Sequence, residues 1–429
     1  MVIGGGIAGI QSSLDLANMG FQVYLVEKTP SIGGRMSQLD KTFPTNDCSM
    51  CILAPKMIEA SRHPNIRLLT YSEVEEVAGE PGKFRVKIRE KARSVDEEKC
   101  TGCGVCMQKC PYKTDSEFEV GLAKRKAAYI PFPQAIPNVA TIDPDICIYI
   151  KSEGKKCGAC IKFCDAGAID FSQQDRIIEV EVGSIILATG FDLYDPSALE
   201  EYGYGKVKNV ITAMQYERMI SASGPSGGQL QRPSDGKTPK RLAFIQCVGS
   251  RDTHHKLYCS SVCCMHATKE AILANEHYPD LKAFIFYTDM RAVGKRFQEY
   301  IARAEQEYKV TYIRSRPSKI TENPDNGNPI VWYEETTART RTSMEVDMVV
   351  LCQALIPSGS TKEISDMLHL SLNDYQFINI PDRLFHPVDT EIPGIFACGF
   401  CQAPQDIPDS VVQASAAAAR AAEFMSRKD

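Results

Sequence analysis

The sequence predicts an α/β fold of two nucleotide-binding-type units, the first of them interrupted by a cysteine-rich insert. Three observations carry that expectation. A glycine-rich turn joins a strand to a helix at the start, Cys-, Pro- and Lys-rich sequence runs from about Val95 to Phe171, and a fresh strand at Arg241 to Ile245 opens a second α/β unit. At 429 residues the chain is also too long for one core, and length alone suggests about three domains.

The first unit starts with Met1 to Ile3 as a strand stub, Gly4 to Gly9 as the turn, Ile10 to Met19 with helical apolar spacing, and Phe21 to Val26 as a second strand. The strand before Gly4 is short, as if the start were assigned late or residues preceded it. In Gly4-x-Gly6-x-x-Gly9 the first glycine permits a tight turn, the second lets backbone approach a pyrophosphate, and the third lets the helix pack on the strand. Glu27, eighteen residues after Gly9, is placed to accept ribose hydroxyls, with Lys28 beside it. The expected boundaries are 1–94 and 172–238 for the first unit and its linker, 95–171 for the insert, 239–352 for the second unit, and 353–429 for the return to the first.

A formal charge of -5, from 49 basic and 54 acidic residues, gives no electrostatic reason to expect nucleic acid. The apolar runs are far shorter than the ~20 residues of a membrane span, and no leader pattern opens the chain, so a soluble, cytoplasmic protein is expected. Seventeen cysteines in so long a chain point to metal ligation rather than to the disulfide framework of a small secreted domain.

Cys100-x2-Cys103-x2-Cys106-x3-Cys110-Pro111 has the bacterial ferredoxin spacing, in which three thiolates grip one [4Fe–4S] cube and the fourth crosses to a second. Zinc is the rival ligand, but the Cys-Pro ending argues against it. The second run, Cys147-x9-Cys157-x2-Cys160-x3-Cys164, has an expanded first gap and Asp165 in place of the proline. Crossing assigns Cys100, Cys103, Cys106 and Cys164 to one cluster and Cys147, Cys157, Cys160 and Cys110 to the other. The insert is therefore expected to be a two-[4Fe–4S] ferredoxin domain.

The second unit has no Gly-x-Gly-x-x-Gly after its strand; Gln246-Cys247-Val248-Gly249-Ser250 stands there instead, which disfavours a nicotinamide cofactor. Cys247, Cys259, Cys263 and Cys264 follow within eighteen residues. They read either as ligands of a third, irregular cluster or as ordinary buried thiols.

Ile32-Gly33-Gly34-Arg35, Ala188-Thr189-Gly190 and Gly394-Ile395-Phe396-Ala397-Cys398-Gly399 resemble the spaced motifs of the thioredoxin and glutathione reductase group. The resemblance implies a two-dinucleotide-binding-domain flavoprotein holding FAD. It departs at Phe400, where that group has an acidic residue. More narrowly, Ile32 to Pro44, Asp47 to Leu53, Cys247 to Asp252, Tyr258 to Cys264 and Asp406 to Ser410 resemble the A-type subunits of heterodisulfide reductase. That resemblance implies a homodimeric FAD protein with the irregular third cluster, relaying electrons or splitting electron pairs. Its implied partners are B- and C-type subunits, ferredoxin, and a hydrogenase or formate dehydrogenase module. It further implies that Lys269 and Glu217 handle protons or tune one-electron steps near the flavin N5 edge. A surface position is the bland alternative for Lys269.

Cys48-x2-Cys51 is either a redox dithiol beside the flavin or a pair of packed thiols there. Cys352, Cys398 and Cys401 lack ligand spacing, with the last two flanking the expected flavin pocket, and His254, His255 and His266 read as polar lining. The leading expectation is an oxidoreductase subunit passing electrons through FAD and three [4Fe–4S] clusters. The rivals are a self-contained NAD(P)H or dithiol reductase and a non-catalytic relay scaffold.

Overall fold

The computed structural model describes residues 1–426, so residues 427–429 of the expected C-terminal part lie outside the described ones. A parallel five-stranded sheet runs in the order Ile395–Ala397, Ile185–Leu187, Val2–Ile3, Val23–Glu27, Ile66–Thr70. Its central strands are almost wholly apolar because helices cover both faces of such a sheet. Helix Ile7–Asn18 follows the glycine turn. Helix Ile407–Ser426 lies against it through Ala414, Ala417, Ala418 and Ala421, whose small side chains recur at helical spacing and let the two approach closely.

The insert leaves from one strand and returns on its neighbour. Lys83–Glu90 pairs antiparallel with Arg176–Val182 along most of its length, and Val95 bridges Ile169. The insert's two ends are thus adjacent, the arrangement that lets a module be accommodated without disturbing its host. Inside it only short helices form, Val105–Lys109, Ile148–Lys151 and Ala159–Lys162, around a small core of Val95, Ala128, Val139, Ala140, Ile142 and Ala168. The apolar stretch Ile177 to Leu187, which reads as one strand, is two. The chain turns at Gly183 and Ser184 from the antiparallel sheet into the parallel one.

A second parallel sheet has the order Val210–Thr212, Met348–Gln353, Arg241–Val248, Lys282–Tyr287, Thr311–Arg314. Within residues 172–238, expected with the first unit, Ile185–Leu187 does belong to the first sheet, while Val210–Thr212 supplies this second sheet's edge strand. Thr212 then starts helix Ala213–Ile220 with a capping box, its hydroxyl accepting from Gln215 N–H at 3.2 Å. That helix delivers Glu217, and helix Cys263–His277 delivers Lys269. Among the described residues no helix is long and apolar enough to cross a membrane.

Candidate flavin and iron–sulfur site

One cavity of about 880 Å³ opens over the first sheet, within the roughly 300–1,000 Å³ usual for ligand sites. Gly4, Gly6, Glu27, Lys28, Gly34, Arg35, Ala188, Thr189 and Gly190 all line it. Gly4 has φ +110°, and a Cβ there would stand 2.3 Å from the Ala188 carbonyl oxygen, so only glycine fits. A Cβ at Gly6 would meet no protein atom within 4 Å, since Gly6 faces the cavity. Gly9 and Gly399 are absent from the wall. A Cβ at Gly9 would lie 1.8 Å from the Gly4 oxygen and one at Gly399 3.0 Å from Ala8 Cβ, so both serve close packing behind the site.

Glu27 accepts from Gly5 N–H at 2.7 Å and from Thr29 N–H at 2.8 Å, which fixes its carboxylate beside the turn. Lys28 Nζ donates to Ser360 Oγ at 2.7 Å. Arg35 reaches Asp192 Oδ1 at 3.1 Å, and Thr189 Oγ1 lies 2.7 Å from Thr361 Oγ1. Phe400, where the reductase group has an acidic residue, packs at 4.6 Å on Phe191. An acid does stand at the cavity a few residues along. Asp406 lines the cavity at the N-terminal end of helix Ile407–Ser426, and burial raises its pKa. The same helix end offers positive potential to negative charge in the cavity. A pyrophosphate-wide glycine cradle, a ribose-facing carboxylate and an apolar wall together fit FAD.

Lys269 is not on the surface; it is 1 % exposed and donates to Glu217 Oε1, itself fully buried. It also donates to the Lys41 carbonyl at 3.2 Å, and Glu217 Oε2 accepts from Asp40 N–H at 2.9 Å. Burial lowers the Lys269 pKa to about 8, with Glu270 and Asp40 opposing the fall. Neither Lys269 nor Glu217 lines the cavity, but His266 does. Its Nε2 stands 3.1 Å from Glu217 and 2.8 Å from Glu270, so it links the buried pair to the cavity wall. The sequence pattern gives His266 no more than a lining role; its spacing of four from Glu270 on one helix is the signal that bears on it. Glu217, His266 and Glu270 are close enough for a single cation, yet the Lys269 ammonium already bonds Glu217.

In the insert, the thiols that raise the pKa of Cys106 beside burial are Cys100, Cys103 and Cys164; those acting on Cys147 are Cys110 and Cys157. Beside burial, Cys160 is raised by Cys147 and Cys110 and also by Cys106 of the other expected set, so the two groups of thiols adjoin one another. Cys100, Cys103, Cys106 and Cys164 surround a small cavity together with Gly102 and Gly104. Among the described residues the group Glu217, His266 and Glu270 is the only one whose three ligand atoms lie within 4.8 Å of one another. No three of these thiols therefore converge as a single zinc held at about 2.3 Å requires, whereas a cube spreads its ligands wider. Burial pushes Cys106 and Cys160 up to about 11, so these thiols stay protonated at neutral pH unless a metal takes the proton's place.

Cys247, Cys259, Cys263 and Cys264 also stand together: burial raises Cys263, with Cys247, Cys264 and Cys259 adding to it, and burial raises Cys264, with Cys247 and Cys259 adding to it. Cys247, Arg251 and Ser261 around them have positive φ without being glycine, strain of about 1–3 kcal/mol each that surrounding structure must hold in place. Cys263 lines the flavin cavity, which puts this group at the flavin's wall. The turn after strand Arg241–Val248 is packed differently from the glycine turn of the first unit. A Cβ at Gly249 would stand 2.7 Å from the Tyr194 ring, and the next helix starts only at Cys263. Accordingly NADH and NADPH should leave the flavin oxidised in anaerobic stopped-flow mixing; rapid bleaching by either would restore the reductase reading.

Cys48 and Cys51 form a disulfide at the start of helix Ser49–Arg62, exposed and outside the cavity wall. The bond is the oxidised form of the expected redox pair, but the pair stands outside the cavity wall, to which Met36, Leu39 and Phe43 contribute instead. Cys352 and Cys398 do reach the cavity, and Cys401 is buried behind it.

The 4Fe-4S binding domain family matches residues 93–114, and the FAD dependent oxidoreductase family matches residues 1–50. In fold the chain is similar to thioredoxin reductase from Lactococcus lactis, with a TM-score of 0.53 at 15% identity over 99% of this chain and 97% of that one. The T. acidophilum thioredoxin reductase gives 0.53 at 12% identity over 99% and 96%. Fold, cavity and cysteines define an iron–sulfur flavoprotein of the oxidoreductase class, with FAD and [4Fe–4S] clusters as its cofactors. The chain is 55% identical over 98% of its length to an iron–sulfur A-type subunit of the CoB–CoM heterodisulfide reductase of Methanopyrus kandleri, of which it spans 63%. It is 51% identical, again over 98%, to the A-type subunit of the H2:CoB-CoM heterodisulfide,ferredoxin reductase of Methanothermobacter thermautotrophicus, of which it also spans 63%. The chain is thus similar along nearly its whole length to heterodisulfide reductase A-type subunits, and it covers somewhat less than two thirds of these relatives' length.

Proposed function

We propose that this chain is the flavin-centred electron-relay component of a heterodisulfide-reductase-like complex, passing and bifurcating electrons between FAD and three [4Fe–4S] clusters. The observation that carries this reading is a single cavity whose wall holds both the glycine cradle and Cys263 of the third cysteine group, with the Lys269–Glu217 pair behind His266. FAD, when bound, accepts electrons in pairs and releases them singly, which a cluster can take. The chain's own residues do the rest. Gly4, Gly6 and Gly34 would admit its pyrophosphate and Glu27 would hold a ribose, with Asp406 and the helix that follows it also facing the bound group. His266 presents the buried ion pair to the cavity, where it can hold or move a proton. Partners on this reading are B- and C-type subunits, ferredoxin and a hydrogenase or formate dehydrogenase module, with a homodimer in the cytoplasm. The names of the relatives, which specify H2, a heterodisulfide and ferredoxin for those proteins, support it.

The test is a redox titration of Lys269→Ala against the exposed control Lys282→Ala, with Lys269→Met/Glu217→Gln to avoid an unpaired buried carboxylate. Losing a cation near the cavity disfavours the anionic reduced flavin, so its midpoint potential should fall by at least about 30 mV, roughly 1.4 kcal/mol for two electrons. Because burial lowers the Lys269 pKa to about 8, wild type should converge on the variant as pH rises through that region. Superimposed curves at pH 7 would remove Lys269 from the site.

A further inference from the structure

We propose that the Cys110, Cys147, Cys157 and Cys160 end of the insert is a docking face for a small acidic one-electron carrier protein, seated on lysines and exposed apolar side chains around Cys157. This rests on the reading that those four thiols hold a cluster.

The two ends of the insert carry opposite charge. Beside Cys100 of the first cysteine group stand Asp96, Glu97 and Glu98, with Lys99 already paired to Asp96 at 2.8 Å. Beside Cys157 of the second stand Lys155 and Lys156 and, at the ends of the helix that starts just after it and of the helix packed on that one, Lys162 and Lys109, all exposed. Glu153 stands 3.4 Å from Lys155 Nζ with both largely in solvent, and the exposed Asp145 and Asp165 are the other acids within two residues of this group's cysteines or of Phe163, fewer than the lysines. The lysines are brought to one end by helix packing. Helix Val105–Lys109 packs on helix Ala159–Lys162, and Lys109 Nζ sits 4.8 Å over the Phe163 ring.

Between the lysines lie Ile161 and Phe163, 44% and 47% exposed. Neither covers a core, and together with the exposed Cys157 they form a small apolar centre inside a basic rim. That pattern suits a transient redox encounter. A charged rim speeds and orients association, and a small apolar patch of low area lets the carrier leave again. Like-charged lysines so close together repel one another, a cost that an acidic partner cancels. Cys157 is the exposed thiol of this group, so a carrier docked here brings its own centre to the outer edge of this cluster. One electron then passes from the reduced centre to the oxidised one in either direction; no bond forms or breaks and no proton moves. The net charge of -5 on the whole chain makes the basic end a local feature rather than a general attraction for anions.

The experiment uses the anaerobically purified holoprotein and, as probe, a small acidic bacterial ferredoxin carrying two [4Fe–4S] clusters. Association is followed by biolayer interferometry at about 50 mM and about 500 mM salt. Wild type should associate markedly more slowly at high salt. Lys155→Glu/Lys156→Glu/Lys162→Glu should associate at least about tenfold more slowly at low salt, and the milder Lys155→Gln/Lys156→Gln should fall between. Phe163→Ala should raise the dissociation rate. The control Lys83→Glu/Lys208→Glu/Lys295→Glu, equal in charge and exposed elsewhere, should stay within about twofold of wild type. Iron content and electron paramagnetic resonance of each variant are measured first. Full iron with unchanged association in both lysine variants, or equal slowing in the control, overturns the docking face and leaves the relay reading intact. Wild-type protein lacking four of the insert's irons overturns the cluster assignment and the docking face together.

Discussion

Replacing Gly6 with valine is expected to empty the flavin site without unfolding the chain. Gly6 has φ -77°, open to any residue, so valine brings no backbone strain. Its side chain would start where no protein atom lies within 4 Å and would project into the cavity where a pyrophosphate must press on the backbone. FAD released by acid should drop at least about tenfold per chain, while the cluster resonances and the melting temperature of the flavin-free protein stay at wild-type values. Gly9→Ala should behave in the opposite sense. Its methyl would stand 1.8 Å from the Gly4 oxygen, and forcing the helix off the strand should cost about 1–3 kcal/mol or more of stability. Normal flavin loading in the Gly6 variant would overturn the placement of the nucleotide.

Substituting Cys259 by serine should remove one cluster outright. Wild-type protein is expected to hold about twelve irons per chain, four for each cube, and the variant about eight. Cys259 is only half-buried and its sulfur accepts from Ser261 N–H at 3.3 Å, so serine fits the space but supplies a poor iron ligand. The insert's clusters lie in a separate core and should be unaffected. About eight irons in both proteins would reduce Cys247, Cys259, Cys263 and Cys264 to ordinary buried thiols.

The glycine turn, the ferredoxin spacing and the return to the first sheet near Ile185 are legible in the sequence because each is local, a few residues whose spacing is dictated by backbone geometry or by a cube's edge. What is not legible depends on contacts between distant segments. Val210–Thr212 is too short for a periodicity signal, and only pairing with Met348–Gln353 makes it part of the second sheet. Asp406 lines the cavity because a helix start is brought to it, which no motif at Phe400 discloses. The role of His266 emerges only when helix Ala213–Ile220 carries Glu217 to within 3.1 Å of it. The misplacement of Cys48 and Cys51 has the same origin: sequence order puts them near the flavin motif, and the wall of the cavity is built from other side chains.

The discontinuity of the first sheet sets an order of biogenesis. Its strands come from residues 2–3, 23–27, 66–70, 185–187 and 395–397, and the helix that closes the cavity starts at Ile407. On a ribosome adding residues from the N-terminus, all eight cysteines of the insert have been made by Cys164, whereas the flavin's container is incomplete until the last strand and helix emerge. Iron delivery to the insert can therefore begin on a nascent chain, and flavin capture is the late step that joins three separated stretches of polypeptide into one host. A cell short of flavin would accumulate chains already charged with iron but with the first sheet's seam still open.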